Sequence, residues 1–225
     1  MNLNTESSFT VSSSYKSLKL FINEIVKSIK TEDQNDNEQL TKILDDINNI
    51  ITSTPLSSER GRYANPNAKE VFLNISNTKY NDIEDLEKYL KNSFGNSKRL
   101  DYGTGHELNF LCFCYSAKCA SILSLNEVYN LFKKYWSVSR HFISKFNLEP
   151  AGSKGSWSLD DYQLLHFVFG AAQGGYVFDK LILSTRSLVT RNLKTIEDYI
   201  NLYDREVLMR NVVTKSFIYS RYLAK

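Results

Sequence analysis

The part of this chain that most constrains its fold is residues 108–123. Leu108, Phe110, Leu111, Phe113, Tyr115, Ala117 and Ile122 leave no polar face on a helix, and such a helix has to be enclosed by other elements. A strand over residues 110–115 would also suit the apolar run, but the length and the flanking alanines favour a helix. The rest of the chain supplies the enclosure. Leu18, Phe21, Ile22, Ile25, Val26 and Ile29 recur with helical spacing, as do Leu40, Ile43, Leu44, Ile47, Ile50 and Ile51. Both sets predict amphipathic helices, and the second must stop near Thr54 because Pro55 follows. Val71 to Ile75 predict a third helix, and Ile83, Leu86, Tyr89 and Leu90 a fourth. Ser124 with Glu127 three residues on reads as a capping box. It opens a helix through Val128, Leu131, Phe132, Tyr135 and Phe142, whose aromatic stripe reads as core packing. Leu164, Leu165, Phe167, Val168 and Phe169 predict another buried helix, ending near Gly174-Gly175, and residues 176–188 and 196–222 predict two more. With no alternation of period 2, the expected fold is all-α, a compact bundle of roughly nine helices. It forms one domain over residues 14–225, after a Ser/Thr/Asn-rich stretch, residues 1–13, that is expected to be disordered.

Charge narrows the partners. The net charge is +3, and the 28 basic residues are scattered, which argues against the clustered basic face of a nucleic-acid binder. No apolar run reaches membrane-spanning length and no signal peptide is recognisable. The expectation is a cytoplasmic protein, the nucleus left open, that engages neither nucleic acid nor membrane. Cys112, Cys114 and Cys119 match no zinc spacing and read as buried thiols of the core helix.

Eight of the nine glycines lie between Gly95 and Gly175, in and around two polar loops. The first, residues 95–107, reads GNSKRLDYGTGHE and leads into the apolar helix. Gly103 and Gly105 allow φ > 0 or a close approach to a ligand, and the helix start that follows favours an anion. Arg99, Asp101, Thr104, His106 and Glu107 surround that point, so phosphate is the natural candidate. The other reading is a plain interhelical loop, with Gly103 as cap and Asp101 as a local acceptor. The second loop, residues 149–163, reads EPAGSKGSWSLDDYQ. Ser158 is placed to cap a following helix, with Asp161 at the reciprocal position. Asp160 and Asp161 either serve that cap or hold Mg²⁺, which takes one or two carboxylates beside phosphate oxygens. His106, His141 and His166 have no partner at triad-like or metal-like spacing. His141 and His166 read as structural, and His106 with Glu107 as residues that orient the loop without touching substrate.

The two loops resemble the signatures of the phosphotyrosyl phosphatase activators, also called type 2A serine/threonine phosphatase activators: GNSTRIDYGTGHE for the first and EPAGSxGVWGLDDYQ for the second. The resemblance extends over roughly residues 15–223. It includes RYAN at residues 62–65, similar to the family's RFGN, and Leu202, Tyr203, Glu206 and Leu208, similar to part of a C-terminal MYKAEVLxKFPVIQHF pattern. It implies an all-helical domain with an adenine nucleotide and Mg²⁺ in a deep cleft. By position, Arg99, Thr104 and Gly105 would contact ATP, and Gly155 and Asp161 would lie at the metal. Val213, Thr214, Lys215 and Ser216 occupy the VIQH positions at the cleft, although only Val213 is identical. The resemblance also implies a partner, the catalytic subunit of a type 2A phosphatase, which the protein would activate and help assemble. It further implies peptidyl-prolyl cis-trans isomerase activity on a proline-containing peptide, which by its nature offers no nucleophile to find. One departure stands out. Relatives carry a longer stretch with a GPFxEHS-type motif after the WGSSQ-like segment, here FGAAQ at residues 169–173, whereas residues 174–195 are all that separate Gln173 from the last predicted helix. The rival readings are a free-standing ATPase, for which no Walker or kinase element is present, and a helical interaction module that has lost nucleotide binding.

Overall fold

The structure, a computed structural model, describes residues 12–31, 33–59, 64–151 and 162–172. Within them lie seven α-helices: α1 (Ser13–Thr31), α2 (Glu38–Ser53), α3 (Ala68–Asn77), α4 (Glu87–Asn92), α5 (Thr104–Cys119), α6 (Val128–Phe146) and α7 (Leu165–Ala172). A 3₁₀ turn (Asn81–Leu86) precedes α4, and two two-residue strands, β1 (Asp101–Tyr102) and β2 (Glu149–Pro150), pair in parallel. The expected all-α architecture is what the described residues form. The strand pair is the one element that the apolar spacing does not anticipate, because two residues carry no period.

Helix α5 is the apolar helix expected at the centre, and eleven of its residues are buried, from Thr104 round to Ala117. Its bounds differ from the hydrophobic run. It starts four residues earlier, so that Thr104, Gly105, His106 and Glu107 make its first turn, and it stops at Cys119. There Ser121 takes a left-handed conformation (φ 60°) and the N–H groups of Ile122 and Leu123 turn back to Ala117 O, a C-terminal cap that ends the helix. Cys119 is therefore exposed at the helix end, unlike buried Cys114. Burial pushes the Cys112 thiol up to about 12, which leaves it inert rather than nucleophilic.

The enclosing helices bury the stripes read from the sequence. Helix α1 contributes Leu18, Phe21, Ile22, Ile25 and Val26, and α2 contributes Leu40, Leu44, Ile47 and Ile51. Asn37 caps α2 by accepting the Leu40 N–H (3.0 Å). The expected helix through Ile83 and Leu90 is instead broken: Ile83 leaves helical geometry (φ −139°, ψ 31°), and Tyr89 is exposed. The Ser124–Glu127 box is half formed. Glu127 accepts the Ser124 N–H (2.8 Å), but the Ser124 hydroxyl bonds Asn126 instead, and α6 starts only at Val128. The α6 aromatic stripe is core, as expected: Phe110 stacks on Tyr135 with centroids 3.8 Å apart, and Phe132 meets both edge-on.

Lys145 near the end of α6 ties that helix to the end of α2. Its ammonium donates to Ile51 O, Thr52 O and Thr54 O, each at 2.8 Å. These are carbonyls that the helix end would otherwise leave to water, at the negative end of its dipole. Lys145→Met keeps the aliphatic stem and removes the charge. It should lower unfolding stability by about 1–2 kcal/mol, read as a lower urea midpoint with unchanged slope. An unchanged midpoint would show the three bonds to be worth no more than their hydration.

Candidate functional site

The first glycine loop is a tight hairpin built on Gly95. Its φ of +123° is open to glycine, and a Cβ there would stand 2.6 Å from Asp101 O. Asn96 donates its N–H to Asp101 O (2.9 Å) and accepts the Leu100 N–H (2.8 Å) on its own carbonyl. Its side-chain oxygen takes the N–H groups of Lys98 and Arg99, both at 3.0 Å, an Asx-type turn. Leu100 closes the loop at φ 53°. From there the chain runs into β1 and then, through Gly103, into α5.

Arg99 stands on this hairpin with half of its side chain exposed (49 %), and its guanidinium grips Asp101 with two bonds, Nε–Oδ2 at 2.5 Å and Nη2–Oδ1 at 3.1 Å. The arginine fork is therefore already engaged by a carboxylate of the same loop. The reading of Asp101 as a local acceptor holds. Thr104 and Gly105 are buried in the first turn of α5. Gly103 is extended (φ −171°) and needs no left-handed freedom. Its lack of a side chain serves contact with the chain itself, since a Cβ would stand 2.9 Å from the Ala151 Cβ. The close approach expected at this glycine is thus to the second glycine loop. His106 points inward, with Nδ1 2.6 Å from Asn92 O and Nε2 4.0 Å from Asp101 Oδ1. Burial pulls its pKa down, so it is neutral at pH 7.

Glu107 is fully buried and spends both carboxylate oxygens on other elements. Oε1 accepts the Trp136 indole N–H (2.8 Å), and Oε2 accepts the backbone N–H groups of Leu164 (2.7 Å) and Leu165 (3.1 Å). It therefore caps the start of α7 from a different helix. Among the described residues α7 begins at Leu165, and the Ser158 cap with Asp161 at its reciprocal position lies outside the described residues. Loss of hydration pushes the Glu107 carboxyl up to about 7, although the three donors and the Arg140 charge pull the other way. The folded chain thus holds a proton that the unfolded chain gives up near 4.5. This group therefore takes stability away as pH rises from about 4.5 to about 7.

Beside it runs a second buried network. Tyr102 and Tyr135 share a bond between hydroxyls (2.6 Å), and Tyr135 donates to Ser93 O (2.7 Å). Gln163 donates to Tyr102 Oη (3.3 Å) and Ser139 Oγ (2.8 Å) and accepts from Arg140 Nε (3.0 Å). Tyr162 donates its hydroxyl to Leu148 O (2.9 Å). On the near side of the second loop, Glu149 N–H reaches Leu100 O (3.1 Å) and Ala151 N–H reaches Tyr102 O (2.7 Å). Both flanks of the second loop are thus fastened to the first, through Leu100, Tyr102 and Glu107. Tyr135, Trp136, Ser139, Arg140 and Gln163 were not anticipated as parts of this joint. A buried indole N–H and a glutamine among apolar residues do ask for partners, but sequence does not say which. Gly155, Asp160, Asp161, Val213, Thr214, Lys215 and Ser216 lie outside the described residues. Among the described residues no group of three or more His, Cys, Asp or Glu side chains could hold a metal ion, and no helix is long and apolar enough to cross a membrane.

The chain has counterparts among known proteins. The sequence model described as "Phosphotyrosyl phosphate activator (PTPA) protein" matches residues 2–219. A serine/threonine-protein phosphatase 2A activator of Encephalitozoon cuniculi is 42 % identical over 238 aligned residues, 96 % of this chain and 94 % of that protein. A serine/threonine-protein phosphatase 2A activator 1 of Debaryomyces hansenii is 36 % identical over 74 % of this chain, which covers 43 % of that protein. The crystal structure of the PP2A phosphatase activator Ypa1 superposes with a TM-score of 0.66 at 27 % identity, over 77 % of this chain and 62 % of that one. The chain belongs to the phosphotyrosyl phosphatase activator family.

The hairpin geometry carries a prediction. Gly95→Ala forces a Cβ onto a backbone at φ +123° and against Asp101 O. It should cost at least about 2 kcal/mol of stability and loosen the β1–β2 pairing, read as lost amide-exchange protection at Ala151. Protection equal to wild type would show that the hairpin tolerates the substitution.

Proposed function

We propose that this protein activates the catalytic subunit of a type 2A serine/threonine phosphatase, acting as an assembly chaperone that uses bound Mg-ATP. The observation that carries the reading is the joining of the two signature loops, Asp101↔Glu149 and Tyr102↔Pro150, together with the phosphatase 2A activators among the relatives. The residues present suit a nucleotide phosphate. Asp101 takes two of the five N–H donors of Arg99, holds the guanidinium in place and leaves its other donors for an anion. Thr104 and Gly105 lie in the first turn of a 16-residue helix, whose dipole favours negative charge there. Asp161 and Gly155 would hold Mg²⁺, with Asp160, His106 and Glu107 behind them, and Val213, Thr214, Lys215 and Ser216 would line the cleft. When bound, Mg-ATP would supply concentrated charge with which to orient and open the phosphatase active site for metal loading. This chain's own work is to hold the two loops in register.

The family's prolyl isomerase chemistry calls for a groove that twists a peptide bond whose rotation barrier is about 18–20 kcal/mol. The segment associated with that groove in longer relatives is shortened here. We therefore expect weak isomerase activity on a proline-containing peptide beside intact phosphatase activation.

The test is calorimetry with Mg-ATP and a phosphatase assay with purified catalytic subunit. Wild type should bind Mg-ATP and raise phosphatase activity. Arg99→Ala should bind about ten- to a hundredfold more weakly, the loss of a charge-assisted phosphate contact, with little change in melting temperature because the side chain is half exposed. Equal affinity in the variant would remove Arg99 from the site. Capture of the phosphatase without any Mg-ATP binding would make the chain an interaction module that has lost its nucleotide.

A further inference from the structure

The hairpin between Gly95 and Gly103 carries three charged side chains, Lys98, Arg99 and Asp101. Two of them cancel. The Arg99 guanidinium and the Asp101 carboxylate share two bonds, Nε–Oδ2 at 2.5 Å and Nη2–Oδ1 at 3.1 Å. Such a pair acts on its surroundings as a dipole rather than as a charge. The donors left to Arg99 can still bond an oxygen at contact. They supply little net attraction that would grow with the charge of the anion.

Lys98 stands one residue away and is not cancelled. It is exposed, and it enters no ion pair among the described residues. Its backbone is held as firmly as that of Arg99, because Asn96 Oδ1 accepts the N–H groups of both residues at 3.0 Å. The fixed part ends at the Cα. Beyond it a flexible four-carbon stem carries a compact point charge. Consecutive Cα atoms are about 3.8 Å apart, so the ammonium can reach an anion held at Arg99. Nearby histidine does not share this task, since His106 is buried and turned toward Asn92 O.

We propose that Lys98 is a specificity-determining residue of the nucleotide site, selecting the triphosphate over the diphosphate by its charge while Arg99 fixes the position of one phosphate group. The inference rests on the Mg-ATP reading above and deepens it. The two cations divide the work by their chemistry. A planar fork locked on a carboxylate gives direction, and a mobile ammonium gives attraction that rises with each added phosphate. The signature that this loop resembles has threonine at this position, so the selection belongs to this chain rather than to the signature. Exposure keeps the effect small and open to screening by salt.

Calorimetry with Mg-ATP and Mg-ADP tests the division of labour on the full chain, its Lys98→Thr and Lys98→Arg variants, and Arg99→Ala. At about 50 mM salt, Lys98→Thr should lower the preference for Mg-ATP over Mg-ADP about threefold. Lys98→Arg, which returns the charge, should restore the wild-type ratio. At about 300 mM salt the ratios of wild type and Lys98→Thr should converge, because a Debye length near 6 Å screens the ammonium. Both Lys98 variants should melt with wild type, since the side chain is exposed and bonds nothing. A ratio unchanged in Lys98→Thr, or one that Lys98→Arg fails to restore, would overturn the proposal. Loss of affinity in Arg99→Ala alongside that result would leave the Mg-ATP reading intact. No binding of Mg-ATP by wild type would overturn the nucleotide reading, and this proposal with it.

Discussion

The joint at Glu107 is the interaction on which the arrangement of the two loops depends. It concentrates three N–H donors on one fully buried carboxyl, and it is held at a cost, since burial works against the charge more strongly than the donors favour it. A buried ionisable group is weak evidence for stability, because a well-packed apolar residue often does better there. What it provides is direction. An apolar contact between α5 and α7 would allow the helices to slide, whereas two amides on one oxygen and an indole on the other fix both the rotation and the height of the α7 head. The same side chain supplies a cap for the start of α7.

A second constraint works with the first. Two loops can lie in register only if their backbones come close, and the glycines and small residues are placed for that. Gly103 meets Ala151 where even one added carbon would stand 2.9 Å away, and Gly95 lets the hairpin fold back on Asp101. With the backbones this near, Tyr102 can use its carbonyl for Ala151 and its hydroxyl for Tyr135 and Gln163. One residue thus serves both flanks of the second loop. Arg99 then sits on the outer side of this joint, half exposed and paired with the buried Asp101 carboxylate.

Sequence reading recovered what has a period and missed what depends on distance. The central apolar helix, the stripes of α1 and α2, the stop before Pro55 and the aromatic core of α6 follow from helical spacing, which is a local property. The bounds of α5 shifted because its first turn is made of loop-like residues, Thr104 to Glu107, that are helical only because tertiary packing buries them. The break at Ile83 and the half-formed box at Ser124 have the same origin, local preference giving way to neighbours. The site was legible in part. Its two segments and most of their polar residues were named, and Gly103 does stand at the cap of α5, but the close approach it allows is to Ala151, and Glu107 as the acceptor for the α7 amides was not foreseen. The contacts that settle both points join residues about fifty to sixty positions apart, and no spacing rule reaches that far.

The joint is also compact in sequence. Among the described residues its bonds are made between Asn92 and Leu165, with α5 and α6 as its walls. The second loop is held at both of its described flanks, by Glu149 and Ala151 on one side and by Gln163, Leu164 and Leu165 on the other. Two separate fixings define the position of a loop more fully than one, because a single fixing leaves rotation about itself. The strand pair supplies the first and the buried carboxyl of Glu107 the second. The second comes from a helix rather than from a loop, so the register of the two segments is referred to the packed core.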